Sequence, residues 1–128
     1  MHKIVLISTS APAAVGPYSQ AVRVGELLFC SGQIPIDPVT GKLIESRRVA
    51  DQTRRVLLNL QALLADHGIG LERVVKTTVF LTDLAHFSEM NTVYAEFFRT
   101  DPPARSTVAV AALPLGALVE IEAVVSLA

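Results

Sequence analysis

Arg105 and Glu120 are the side chains of this sequence whose types and spacing suggest joint chemistry, with Glu122 beside them read as a structural or surface charge. A guanidinium stays charged and can grip a carboxylate with two parallel N–H donors. A partly buried glutamate can manage a proton, because burial raises its pKa toward neutrality. The same pair of residue types also suits a plain salt bridge between subunits. Their spacing brings them together as follows. In residues 105–111, Arg105, Thr107, Ala109 and Ala111 alternate with Ser106, Val108 and Val110. In residues 118–126, Leu118, Glu120, Glu122 and Val124 alternate with Val119, Ile121, Ala123 and Val125. The short turn Leu113-Pro114-Leu115-Gly116 predicts that the two strands pair antiparallel. Setting Val108 and Val110 beside Val119 and Ile121 then places Arg105, Thr107, Glu120 and Glu122 on one shared face.

The other polar candidates each carry a plain alternative. Tyr18, within Gly16-Pro17-Tyr18-Ser19-Gln20, is either a packed aromatic capping a loop or a pocket residue. Ser31-Gly32 is either a strand end or a place where a backbone N–H can meet a carboxylate, since glycine allows close approach. Asn91 sits in a helical stretch, where a surface amide is the ordinary reading. Cys30, the one cysteine, lies between Phe29 and Ser31 in an apolar strand and reads as a buried, inert thiol. His2, His67 and His86 show no ligand spacing and read as a terminus, a helix end and a helix start.

The elements that must position these residues follow from periodicity. Residues 3–8 form a short β-branched strand, and residues 10–20, with Pro12, Gly16 and Pro17, a loop. Residues 21–31 read as a hairpin turning at Gly25-Glu26, followed by a loop over residues 32–42. Residues 45–67 form the clearest helix, with Val49, Thr53, Val56, Leu57, Leu60, Leu63 and Leu64 on one face and Gly68 just past its end. Residues 74–82 alternate as a strand, and residues 85–98 form a second helix striped by Phe87, Met90, Tyr94, Phe97 and Phe98. Asp101-Pro102-Pro103 stops it. The predicted order is β-β-β-α-β-α-β-β, an α+β domain with two helices on one face of a mixed sheet of about six strands.

Composition narrows the class. A chain of 128 residues is expected to be one domain, residues 1–128. Apolar residues make up 51% and charged residues only 18%, which excludes intrinsic disorder and predicts that a sheet face is buried against another copy. Eleven Lys and Arg against 12 Asp and Glu leave no basic excess, which argues against nucleic acid as a ligand. No apolar run approaches the roughly 18 residues of a membrane span. The apolar stretch after Met1 is too short for a signal peptide, so a cytoplasmic location is expected.

Five ordered segments then resemble one known family: Ala11-Pro12-Ala13-Ala14-Val15-Gly16-Pro17-Tyr18-Ser19-Gln20-Ala21, Ser31-Gly32-Gln33-Ile34-Pro35, Val75-Lys76-Thr77-Thr78-Val79-Phe80-Leu81, Pro103-Ala104-Arg105-Ser106-Thr107-Val108 and Glu120-Ile121-Glu122-Ala123. The chain resembles the RidA/YjgF family nearly end to end. The resemblance implies a chorismate-mutase-like fold, a homotrimer with ligand sites between subunits, and no cofactor. It implies hydrolysis of reactive enamines and imines, 2-aminoacrylate and 2-iminobutanoate, to 2-keto acids and ammonia, protecting pyridoxal-phosphate enzymes. Carried over by position, Arg105 grips the substrate carboxylate, Glu120 positions or activates water, and Tyr18, Ser31, Gly32 and Asn91 line the pocket. Thr107 stands where many members have a cysteine, which speaks against a cysteine-dependent role. Two other readings stay open. One is a narrower catabolic deaminase of aminoacrylate or aminomuconate type. The other is a non-enzymatic small-molecule-binding or chaperone-like protein.

Overall fold

The computed structural model describes residues 2–128. Six strands form one mixed sheet: β1 (Ile4–Leu6), β2 (Ala21–Val24), β3 (Leu27–Gln33), β4 (Val74–Leu81), β5 (Ala104–Ala109) and β6 (Val119–Ser126). Helices α1 (Val49–Ala65) and α2 (Phe87–Phe97) cover one face. The strand order is β1-β2-β3-β6-β4-β5, antiparallel throughout except for the parallel pair β4–β5. The element order and the α+β class match the expectation from periodicity.

The core lies between the sheet and the helices. Along α1, Val56, Leu57 and Leu60 are fully buried, and they meet Val79, Leu81, Val119, Ile121 and Val125 from the centre of the sheet. Each such side chain contributes about 1.5–3 kcal/mol by leaving water. The helix is shorter than its apolar pattern predicts. Ser46 breaks its start: the Ser46 hydroxyl accepts from the Arg48 N–H at 3.2 Å and donates to Asp51 at 2.6 Å. A side chain that satisfies nearby backbone competes with the helix in this way. At the other end Gly68 takes a positive φ of 71°, and the Ile69 N–H returns to the Leu64 carbonyl.

One expectation fails. β5 and β6 do not pair with each other. β6 lies between β3 and β4, and β5 is an edge strand parallel to β4. Parallel pairing sets Arg105 opposite Thr77, and Thr77 opposite Ala123, on the helix-covered face. Val108, by contrast, falls opposite Phe80, and Phe80 opposite Glu120, on the uncovered face. Each strand alternates as expected, but the phase between the two is off by one residue. Arg105 and Thr107 therefore face the helices, while Glu120 and Glu122 face away from them. The physical reason is the crossover: β5 follows α2, and a strand entering after a helix adds alongside β4 in parallel.

Three buried side-chain amides tie the loops to this frame. Gln20 accepts from the Ser8 N–H and donates to the Ser8 and Pro12 carbonyls. Gln52 donates to the Ser46 carbonyl and accepts from the Leu118 N–H. Asn59, fully buried, donates to the Ile34 and Ile36 carbonyls and accepts from Arg55 Nε at 3.0 Å. Alanine at position 59 leaves two carbonyls without their donor. Asn59→Ala is expected to lower the unfolding free energy by roughly 2–4 kcal/mol. Urea denaturation at fixed protein concentration measures this, and a loss below about 0.5 kcal/mol, the range of an ordinary surface change, would show that the amide anchors nothing.

Candidate functional site

Glu120 reaches its position because β3 carries an extra residue. Cys30 pairs with Ala123 and Gln33 with Ile121, so three steps on β3 match two on β6. That is a β-bulge, and Ser31 and Gly32 form it. The Glu120 side chain lies against Gly32: a Cβ at position 32 would stand 2.4 Å from Glu120 Oε2 and 2.9 Å from its Cγ. Glycine is what lets the carboxylate lie across β3.

Around Glu120 is a cleft of about 690 Å³. Tyr18, Ser31, Gly32 and Glu122 line it, together with Val15, Ile34, Ile36, Pro114 and Leu115. The Ser31 N–H donates to the Gln20 carbonyl at 3.0 Å, and its hydroxyl donates to the Ser19 carbonyl at 2.6 Å. Both bonds fix Ser31 against the loop that carries Tyr18. The Tyr18 hydroxyl accepts from the Val15 N–H at 3.2 Å, which folds that loop over its own ring. Among the described residues, Glu120 is in no ion pair. Burial pushes its carboxyl above the usual glutamate range, and the charge of Glu122 adds to the effect.

Arg105 sits elsewhere. Its guanidinium lies 4.7 Å from the centre of the Tyr94 ring and 5.5 Å from that of Phe87, both on α2. These are cation–π distances. The Tyr94 hydroxyl bonds Thr77 Oγ1 at 2.7 Å in the buried layer, which locks the ring as a platform. Burial raises the Tyr94 pKa, with Thr77 and the Arg105 charge opposing it, so the phenol stays neutral. Among the described residues no carboxylate lies within 4 Å of the guanidinium. Asn91 lies one helical turn from both Phe87 and Tyr94 on α2, and its Oδ1 is buried without a hydrogen-bond partner.

The predicted site residues thus fall into two groups on opposite sides of the sheet. Tyr18, Ser31, Gly32 and Glu120 share the cleft. Arg105 and Asn91 share the α2 edge. The expectation that Arg105 and Glu120 project from one face of the chain is wrong, because β4 and β6 separate their registers. Thr107 lies on the Arg105 side. Periodicity also missed two parts of the site, since Phe87 and Tyr94, read only as core, carry the guanidinium; Leu115, read only as turn, stands at the exposed rim of the cleft. Burial pushes the Cys30 thiol up to about 12, as suits an unreactive buried cysteine. Among the described residues, no three His, Cys, Asp or Glu side chains group as metal ligands.

The chain is thus a small α+β domain with two separated charged groups: Glu120, against Gly32 in an open cleft, and Arg105 at the far edge, neither in an ion pair among the described residues. The model of the endoribonuclease L-PSP family matches residues 8–127. The chain belongs to that family, which is the YjgF/RidA family. It is 57% identical over 122 residues to the RutC family protein y4sK of Sinorhizobium fredii, covering 94% of this chain and 96% of that one. It is 48% identical over 127 residues to Reactive Intermediate Deaminase A, chloroplastic, of Arabidopsis thaliana, covering 99% of this chain and 67% of that one. The crystal structure of Escherichia coli TdcF with bound serine is similar at a TM-score of 0.89 and 40% identity, covering 96% of this chain and 98% of that one.

The raised pKa of Glu120 has a stability consequence. A carboxyl whose folded pKa lies above its unfolded value favours the protonated folded state. Its contribution is fully present below the unfolded value and is lost as pH rises through the folded one. Glu120→Gln is therefore expected to be more stable than the parent at pH 7 to 8, with the difference vanishing below the ordinary glutamate range. Thermal unfolding of both proteins across that pH span checks the sign, and a constant difference at all pH values would contradict it.

Proposed function

We propose that this protein hydrolyses reactive enamine and imine intermediates, 2-aminoacrylate with its tautomer 2-iminopropanoate and 2-iminobutanoate, to 2-keto acids and ammonia. It does so in the cytoplasm, at clefts between the subunits of a homotrimer, and so protects pyridoxal-phosphate enzymes from these by-products. One observation carries the reading. Arg105, with no counter-charge among the described residues, lies over Phe87 and Tyr94 on α2, the helix that also carries the unpartnered Asn91 Oδ1. A carboxylate without a counter-charge, Glu120, sits in a cleft on the other side. On this reading the two surfaces meet across a second copy.

The chemistry follows from that pairing. The planar fork of Arg105, held on the Tyr94 and Phe87 rings, takes the substrate carboxylate from one subunit. Glu120 of the neighbouring cleft accepts a proton as water adds to the C=N carbon. The resulting carbinolamine takes that proton on nitrogen; as the C–N bond then breaks, the Glu120 carboxylate accepts the hydroxyl proton, the C=O of the keto acid forms, and the proton leaves with the ammonia as ammonium. One water is consumed for each imine, and no redox partner is needed. Glu122 lines the same cleft, and its negative charge suits a protonated iminium nitrogen. The serine held by the related TdcF bears a carboxylate and an ammonium on one carbon, the same pair of charges as a protonated 2-imino acid. The name of the Arabidopsis relative supports a deaminase. The absence of a basic excess weighs against an RNA substrate, whatever the family model is called.

The direct test is ammonia and keto-acid release from 2-aminoacrylate and 2-iminobutanoate generated in situ by a separate dehydratase. Rates no faster than the uncatalysed reaction would overturn the reading. Two substitutions assign the roles. Arg105→Lys keeps the charge but loses the fork and its stacking, and is expected to lower kcat/KM by about one to two decades, or roughly 1.5–3 kcal/mol. Glu120→Gln cannot take a proton, and is expected to lower kcat by about 10²–10⁴-fold at most, less in proportion to the intrinsic lability of imines, while affinity for a 2-keto acid survives. Unchanged turnover in assembled Glu120→Gln protein would leave Glu120 as a structural charge.

A further inference from the structure

The exposed rim of the cleft carries a feature that neither the core nor Glu120 requires. Leu115 adopts φ 59° and ψ 14°, the left-handed region that a leucine rarely enters. Its side chain is 69% exposed, so core burial does not explain the strain. The turn is nevertheless held in this shape. The Gly116 N–H donates to the Leu113 carbonyl, and the Ala117 N–H to the Pro114 carbonyl. From the start of α1, Arg47 Nη1 donates to the Gly116 carbonyl at 2.9 Å, and Gln52 Oε1 accepts from the Leu118 N–H at 2.8 Å. Two side chains distant in sequence therefore fix a turn that presents a leucine at the mouth of the cleft.

The cleft that Leu115 lines is graded. Half-buried Glu120, Ser31 and Gly32 make its polar part, and the more exposed Val15 and Leu115, with Pro114, Ile34 and Ile36, make its apolar walls. At about 690 Å³ it falls within the size range of sites that bury drug-sized ligands. A three-carbon imino acid held at the polar part leaves the apolar walls without contact. A longer alkyl chain on the same substrate carbon would extend along them.

We propose that Leu115 is a specificity-determining residue of this cleft: it is the wall against which the alkyl side chain of a 2-imino acid packs, so hydrolysis of long apolar substrates depends on it and hydrolysis of the three-carbon substrate does not. This rests on the deaminase reading above. The backbone geometry makes the test clean, because glycine takes the same φ and ψ without strain. Leu115→Gly is expected to fold and assemble as the parent does.

The assay supplies two 2-imino acids in situ, from L-alanine and from L-leucine with an amino-acid oxidase, and follows keto-acid formation above the uncatalysed rate. In Leu115→Gly, kcat/KM for the leucine-derived imine should fall about ten-fold, mainly through KM, while the alanine-derived value changes less than about two-fold. Leu115→Met, which restores an apolar side chain, should recover most of the loss. An equal loss on both substrates, no loss on either, or dissociation of the oligomer without a change in selectivity would each overturn the proposal. Those outcomes leave the parent protein active. A parent protein inactive on both imines and on 2-aminoacrylate would instead remove the deaminase reading, and this proposal with it.

Discussion

The placement of β6 between β3 and β4 is the constraint on which the candidate site depends. It sets Glu120 beside the Ser31-Gly32 bulge, where only a glycine leaves room for the carboxylate. It also denies β5 a place next to β6, so the last crossover delivers β5 to the edge of the sheet, parallel to β4. That single choice turns Arg105 toward α2 and Glu120 away from it. Glu120 stands on β6 and Arg105 on a strand paired to β4, and β4 and β6 contribute Val79, Leu81, Val119, Ile121 and Val125 to the buried core. A site built on strands is held more firmly than one built on loops.

The loops that complete the cleft are stiffened by a different device. Gln20, Gln52 and Asn59 are buried amides, and each spends its donors and acceptor on backbone or side-chain groups of cleft-forming segments. A buried amide with every partner in place specifies one loop conformation, because any other leaves polar groups unpaired. Asp66 does similar work at the surface. It accepts from the hydroxyls of Ser8 and Ser10, and these bonds hold its carboxyl below the usual aspartate range. The segment that leads into the Tyr18 loop is thereby fastened to the end of α1. In a protein with so few charges, side-chain amides and hydroxyls carry most of this specificity.

Much of the fold was legible in the sequence for a plain reason: alternation in Val74–Leu81 and the three-four spacing of α1 report burial, and burial is what the sheet and helix faces share. The order of elements and the two-residue turn at Gly25-Glu26 followed. Strand neighbours were not legible in the same way. Turn residues at 113–116 suggested a hairpin, but Leu115 and Gly116 build a 3-10 turn that leads the chain across to the centre of the sheet. Alternation within a strand is blind to which neighbour it meets, so the relative phase of Arg105 and Glu120 came out one residue wrong. The resemblance of five motifs pointed to the same site residues without needing the phase. It could not show that they divide into two groups, because a motif carries no information about faces.

That division has a physical logic of its own. If Arg105 and Glu120 faced each other within one chain, they would neutralise each other, and a ligand would first have to break the pair. Separating a buried ion pair is costly, because each charge is left without compensation. Placing them on opposite sides of the sheet keeps both available. Aromatic faces hold the guanidinium without taking the N–H donors in the plane of its fork, and among the described residues no carboxylate pairs with it. Burial and Glu122 hold the carboxyl of Glu120 at a raised pKa, where proton transfer is easier. On the deaminase reading, a second copy brings the two groups to the same substrate, with the carboxylate on one subunit's arginine and the reacting carbon over the other's glutamate. The ligand then takes the position that a salt bridge would otherwise fill, and the charge of each group is used once, in the complex.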